Sequence, residues 1–291
     1  MEAFLSREVA RELIRYQLIH CRQLANVSQK EAGAAVGLSQ PHYAQFESDQ
    51  RNQRRPDQDK LEQLLRFFGV EDRIPILSEV LEIARSSKPG GKHVIGPMIS
   101  DVPLYFALEH YAASLDAYES NVINGLLQTP EYAQVLIEYA ATLTPGLDPR
   151  STLDLRMERQ SLLTSRKPTP LALTMYVEEA VLHRRIGGAE VMAAQLRHLL
   201  SMERRRNIKI RVVPQSLDLS PTGRRPLSML RFTDDWRVGY TETPLSAYYY
   251  DTPAAIEQCG TIMGHLHHLA LDADESRRLI GAIVHRLESE K

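Results

Sequence analysis

The stretch Ser28–Arg55 reads SQKEAGAAVGLSQPHYAQFESDQRNQRR. Its punctuation decides the fold of the region around it. Ser28 offers a side-chain oxygen to the unpaired backbone N–H groups that open a helix over 29–36. Gly37 ends that helix, because glycine enters the left-handed conformation without the steric cost of a Cβ. Ser39 stands at the cap of the next helix, 40–47. Two short helices joined by so tight a turn cross closely, and Gly33 supplies a missing side chain at the crossing. In the second helix Tyr43 and Phe46 share an inward face, while Gln40 and Gln45 face outward.

Working outward, residues 6–24 carry Val9, Leu13, Tyr16 and Leu24 at helical spacing. Downstream, Asp49 to Pro56 is a polar loop. Asp57 caps a fourth helix with Leu61, Leu64, Leu65 and Phe68, ended by Gly69. A fifth apolar stretch runs from Ile74 to Ala84. Ser86–Gly91, SSKPGG, cannot build a core and reads as a linker. The expected organisation is a five-helix all-α domain over 1–85, a linker over 86–95 and a second domain over 96–291.

The second domain reads as helices at 101–117, 130–142 and 149–165. Thr129 caps the second of these, with Pro130 at its first position. A strand follows at 171–180, then a helix at 189–204 after the Gly187-Gly188 turn. Strands at 208–214, 226–233, 236–243 and 246–251 precede helices at 253–270 and 273–289. Helices flanking a small, mostly antiparallel sheet make an α+β domain.

The 291 residues exceed one small domain, and 43 % hydrophobic composition is ample for a core. A net charge of −2 rules out a global basic field. Cys21 and Cys259 lack any partner motif, which argues against a disulfide framework or a zinc site. The opening MEAFLSREVARELIRYQL mixes charged and apolar residues and lacks the apolar run of a signal peptide. No window approaches the ~18 apolar residues of a membrane span. A cytoplasmic chain without membrane contact is expected. No P-loop, G-x-G-x-x-G or G-x-S-x-G is present, so no cofactor is expected.

Two helices about a tight turn form a helix-turn-helix, whose second helix lies in the DNA major groove. VSQKEAGAAVGLSQPHYAQFES (27–48) resembles the helix-turn-helix of the XRE (lambda-repressor-like) regulators. Ser28-Gln29, Glu31, Gly37, Ser39-Gln40 and Phe46-Glu47 fall in register, over roughly 6–70. YESNVINGLLQTPEYA (118–133), LRMERQSLLT (155–164), EEAVLHRRIGGAEVMAAQLRHLL (178–200) and IKIRVVP (208–214) resemble the C-terminal domain of an actinobacterial, antitoxin-like group of such regulators. That domain has long lacked an assigned function. The resemblance implies binding to a double-stranded DNA operator as a homodimer, and pairing with a small protein encoded nearby. Carried over residue by residue, it places Gln29 on phosphate and Gln40 and Gln45 on base edges, where glutamine bonds adenine in a bidentate way. His42 joins this DNA-facing set. Pro41, His42 and Ala44 depart from the usual pattern, in which polar or cationic residues are common.

From Ala32 through Gln50 there is no lysine or arginine. Residues 1–60 hold nine Lys+Arg against eight Asp+Glu, a small surplus for a duplex binder. Arg51, Arg54 and Arg55 cluster just after the second helix, placed to contact the sugar-phosphate backbone while the glutamines read sequence. The alternative is a solvated loop.

Other residues suggest further chemistry. Tyr248 and Tyr250 share one face of a strand, with Tyr249 on the other, and with Trp236 form a candidate ligand pocket. Ordinary sheet packing is the competing explanation. Glu178 or Glu179 with His183 is a candidate acid/base pair. His265 and His268 share a helical face with Cys259 two turns earlier, without the further ligands a metal needs. The main expectation is a transcriptional regulator whose second domain dimerises and senses a small molecule or partner protein. One alternative is a regulator scaffold repurposed as a small-molecule binder or cofactor-independent enzyme, using Glu178, His183 and Tyr248. Another is an antitoxin-like module that sequesters a protein.

Overall fold

The computed structural model describes residues 2–5, 7–48, 54–85, 92–94, 104–167, 169–217, 220–232, 237–243 and 246–289. In chain order the first elements are β1 (Glu2–Leu5), α1 (Arg7–Leu24), α2 (Gln29–Ala35), α3 (Gln40–Glu47), α4 (Gln58–Phe67), α5 (Ile74–Arg85) and β2 (Lys92–Val94). Then come α6 (Leu104–Tyr111), β3 (Ser114–Glu119), α7 (Pro130–Leu143), α8 (Pro149–Arg159), α9 (Ser161–Thr164), β4 (Ala172–Glu178), α10 (Glu179–Leu182) and α11 (Gly188–Met202). The chain closes with β5 (Ile208–Val213), β6 (Leu227–Arg231), β7 (Arg237–Glu242), β8 (Ser246–Tyr250), α12 (Pro253–Leu269) and α13 (Ala273–Ser289). Packing divides them into two units. One is Met1–Leu108 with Glu242–Asp251; the other is Glu109–Thr241 with Thr252–Lys291. Apart from β2, the linker expected over 86–95 lies outside the described residues.

In the first unit Ser28 and Glu31 form a reciprocal capping box. The Glu31 N–H donates to Ser28 Oγ at 3.2 Å, and the Ser28 N–H donates to Glu31 Oε2 at 2.8 Å. Gly37 has φ +69°, as a glycine terminator requires. Ser39 holds the N-cap position of α3 but makes no side-chain cap. Its hydroxyl pairs instead with His42 Nδ1 at 2.8 Å. Asp57 caps α4 through the Lys60 N–H at 2.9 Å. Leu13, Ile14, Leu18, Tyr43, Leu61, Leu64, Leu77 and Leu81 are buried and make one core. This unit also contains a short sheet in which Ala3 of β1 stands opposite Val94 of β2, antiparallel, and Ala247 of β8, parallel. Pairing with β1 is what draws 242–251 into this unit.

Gly33 is where α2 and α3 meet. A Cβ built there stands 2.8 Å from the Leu38 carbonyl oxygen and 3.2 Å from Tyr43 Cβ. Neither neighbour is the yielding end of a flexible side chain. Gly33→Ala is therefore expected to destabilise this unit by about 1–3 kcal/mol, the usual cost of overpacking. The gain in helix propensity offsets part of this. A lower urea midpoint at unchanged slope is the readout.

The second unit is α+β. Its sheet is ordered β7-β6-β3-β4-β5. β3, β4 and β5 run parallel, with Ala117 opposite Met175 and Met175 opposite Ile210. β6 and β7 complete the sheet antiparallel, with Ser228 opposite Ala117 and Gly239 opposite Met229. The parallel pairs are joined through helices, as parallel connections demand. The helix expected over 101–117 is corrected: α6 stops at Tyr111 and 114–119 is β3. SLDAYE has locally helix-compatible composition. Its central place between β4 and β6 buries Leu115, Ala117 and Tyr118, and that packing overrides local preference.

Buried amides clamp the loop before α7. Gln195 donates to the Leu127 carbonyl at 2.7 Å and accepts from the Thr129 N–H at 2.7 Å. Gln128 donates to the Ile123 carbonyl at 2.6 Å and accepts from Arg156 at 2.8 Å. Much of the 118–133 segment is thereby fixed as structure. Thr129 caps α7 with Pro130 at the first turn, as its sequence indicates.

Candidate nucleic-acid interface

The second helix of the turn motif is set from behind. Tyr43, Phe46 and Glu47 are buried. The Tyr43 and Phe46 rings meet edge-on, with centroids 6.0 Å apart. Glu47 is the hub: its side chain is only 4 % exposed. Arg22 on α1 donates Nε to Glu47 Oε1 at 2.6 Å and Nη2 to Oε2 at 2.9 Å. Tyr43 Oη donates to Oε1 at 2.7 Å and Gln29 Nε2 to Oε2 at 2.8 Å. Arg22 Nη1 also donates to the Val27 carbonyl at 2.9 Å. One carboxylate thus ties α1, α2 and α3 together. Burial raises the Glu47 pKa, but the hydrogen bonds from Arg22, Gln29 and Tyr43 outweigh it and hold the carboxyl below its ordinary value.

The opposite face of α3 is open and uncharged. Gln40, Pro41 and His42 are exposed, and Ala44 and Gln45 are half-buried. Gln29, at the start of α2, uses one amide hydrogen on Glu47. An amide NH₂ carries two, so a second donor remains for a phosphate, on a side chain whose rotamer is already fixed.

The missing cations stand beside this face. A recess of about 280 Å³ is lined by His42, Arg54, Arg55, Asp57, Lys60 and Arg85, among others. Arg54 is exposed and Arg55 half-buried. Burial pushes the Arg55 guanidinium down; Glu12 opposes this, while Arg11 and Arg15 add to it. Lys60 pairs with Asp57 at 2.6 Å. Arg51 lies outside the described residues. Arg22, Lys60 and Arg85 carry no recognisable local pattern, and Glu47 is marked only by its register with the motif, not as a hub.

Of the other candidate sets, Glu179 and His183 are brought together, and the rest are dispersed. Glu178 is buried at the end of β4, where Tyr118 Oη donates to it and Arg224 Nη1 donates at 2.7 Å. Burial first, then the Glu178 hydrogen bond, pushes the Tyr118 pKa up to about 12. His183 instead faces Glu179 at 3.4 Å and Arg286 at 2.6 Å. Glu178 and His183 therefore have separate partners. Tyr248 and Tyr250 lie on β8, in the first unit, half-buried on either side of buried Tyr249. Trp236 lies outside the described residues. His265 and His268 are exposed and Cys259 is buried. Among the described residues no group of His, Cys, Asp and Glu could hold a metal ion. Among them, too, no helix is long and apolar enough to cross a membrane.

Residues 18–73 match the family model described as Helix-turn-helix, spanning all of α2, α3 and α4. Residues 102–282 match the model described as Domain of unknown function (DUF5753), which is more than half of the chain. The chain belongs to the DUF5753 family. No curated protein and no solved structure matches it. The DUF5753 match runs from α6 into α13 and takes in every strand of the mixed sheet. A helix-turn-helix of the XRE type ahead of a DUF5753 domain supports a DNA-binding regulator.

Proposed function

We propose that the chain is a transcriptional regulator that reads duplex DNA with α3. The observation that carries this reading is the pairing of two surfaces in one unit. A neutral, hydrogen-bonding helix face is braced rigidly by Glu47, and a recess of cations lies beside it. Gln40 and Gln45, with His42, meet base edges, while Arg51, Arg54, Arg55 and the second amide hydrogen of Gln29 meet phosphates. A neutral reading helix then has a physical rationale: positioning and sequence discrimination are assigned to different residues. The second unit dimerises the protein and answers a small molecule or a partner protein. A dimer sets two copies of α3 about 34 Å apart on a symmetric operator.

The roles separate experimentally. Joint replacement of Gln40 and Gln45 by alanine is expected to weaken binding to a selected site by roughly 10- to 100-fold, about the value of one or two bidentate base contacts. Affinity for unrelated duplex should stay as it is. Arg54→Ala is expected to weaken both equally and to lower the salt slope by about 0.9. Anisotropy titrations over a series of salt concentrations measure both. A glutamine pair whose loss leaves discrimination intact would remove α3 from the reading role.

A further inference from the structure

The recess beside α3 has the chemistry of a ligand site in its own right. Arg54 and Arg55 enter from the loop after α3, Lys60 from the first turn of α4 and Arg85 from the last turn of α5. Among the described residues that line the recess the acid is Asp57; Glu12, outside the lining, favours the charged form of Arg55. The Asp57 carboxylate is already engaged, capping the Lys60 N–H at 2.9 Å and pairing with its ammonium at 2.6 Å. Cations converge on this one concavity from three elements, and an anion that enters it is attracted by them. Leu38 and Phe46 add an apolar part to the lining. A volume of about 280 Å³ is at the small end of ligand pockets, so the occupant is smaller than a dinucleotide.

We propose that this recess binds a small phosphate-bearing anion free in solution, and that the bound anion competes with duplex DNA. His42 belongs to α3 and also lines the recess, with its Nδ1 held by Ser39 at 2.8 Å. An anion there occupies the cations that would otherwise meet a DNA phosphate, and it touches the reading helix itself. Differential binding of this kind is the requirement for a ligand to shift a protein between states. The competition rests on the DNA-binding reading above; the anion site does not.

The test is isothermal titration of the full chain with inorganic pyrophosphate, followed by duplex titrations in its presence. Saturable binding at one site per chain is expected. Lys60→Ala and Arg85→Gln are each expected to weaken it by tenfold or more and to abolish the rise in melting temperature that the ligand produces. Arg85 is exposed at a helix end, so its variant tests the site even if loss of the Asp57–Lys60 pair perturbs α4. Saturating pyrophosphate is expected to weaken duplex binding tenfold or more in the wild type and not in Arg85→Gln. Absence of saturable binding, or binding indifferent to both substitutions, overturns the site. Anion binding with duplex affinity unchanged overturns the competition. Failure of the wild type to bind any duplex overturns the regulator reading, while the pyrophosphate titration still decides the site.

Discussion

Arg22→Ala is expected to destabilise the helix-turn-helix unit by about 3–5 kcal/mol, the cost of leaving a buried charge without its partner. The Glu47 side chain is only 4 % exposed and that of Arg22 14 %, so water cannot replace the lost guanidinium. Tyr43 and Gln29 still donate to the carboxylate, but neither carries charge. Arg22 also holds the Val27 carbonyl just before the α2 cap, so the turn entering α2 loosens as well. DNA binding should fall with stability, since the seat of α3 is lost. Chemical denaturation by two probes, one local to the unit, measures the effect. A double variant, Arg22→Met with Glu47→Leu, should recover part of the loss, because both charges leave together while the buried Tyr43 hydroxyl loses its acceptor. A single variant costing under 1 kcal/mol would show that the pair does not organise the three helices.

The same network dictates a pH response. Glu47 has a folded pKa below its ordinary 4.5. Its contribution to stability is fully present above that ordinary value and is lost as pH falls from there through the lower folded value. Glu47→Gln should flatten that part of the acid limb. An acid limb identical in wild type and variant would contradict the assignment.

Arg159→Met is the second large effect, again about 3–5 kcal/mol. Glu109, on α6, has no exposed surface. Arg159, at the end of α8, donates Nε to Glu109 Oε2 at 3.0 Å and Nη2 to the two oxygens at 2.8 and 3.1 Å. The fork grips a carboxylate with no access to solvent, and methionine fills the space without the charge. Loss of the grip frees the end of α8, next to Gln160, which donates to the Gln128 carbonyl at 2.6 Å. The damage should therefore spread into the clamped loop before α7. Hydrogen exchange over 120–133 is expected to accelerate in this variant, and the helix-turn-helix unit to keep its protection. Unchanged exchange over 120–133 would show that the clamp is independent of the Glu109–Arg159 pair.

What could be read ahead of the structure was what is local. Ser28 with Glu31, Gly33, Gly37, Asp57 and Thr129-Pro130 each act within a few residues, so their spacing alone fixes the ends of α2, α4 and α7. The alternation of Tyr248, Tyr249 and Tyr250 likewise survives as one buried ring between two half-buried ones. What could not be read depends on long-range partners. Arg22 and Glu47 are 25 residues apart, with no periodicity to connect them. β3 is a strand only because β4 and β6 flank it. Ser39 was legible as a cap position, but not its choice of His42 over the backbone. The recess draws Lys60 and Arg85 from opposite ends of two helices, a juxtaposition that only the packing of α4 and α5 creates. The question raised by the absence of lysine and arginine from Ala32 to Gln50 thus has its answer outside that stretch.

The central claim is that α3 reads duplex DNA while its neighbours hold the backbone. Selection of duplexes from a random pool by the full chain, followed by a salt titration of the selected sequence, tests it most directly. A symmetric selected site is predicted, with log affinity falling linearly against log salt at about −0.9 per phosphate contacted. Its preference over unrelated sequence should disappear when Gln40 and Gln45 are replaced by alanine. Folded protein that binds no duplex at low salt, or that selects a sequence with equal success without those two glutamines, would contradict the account.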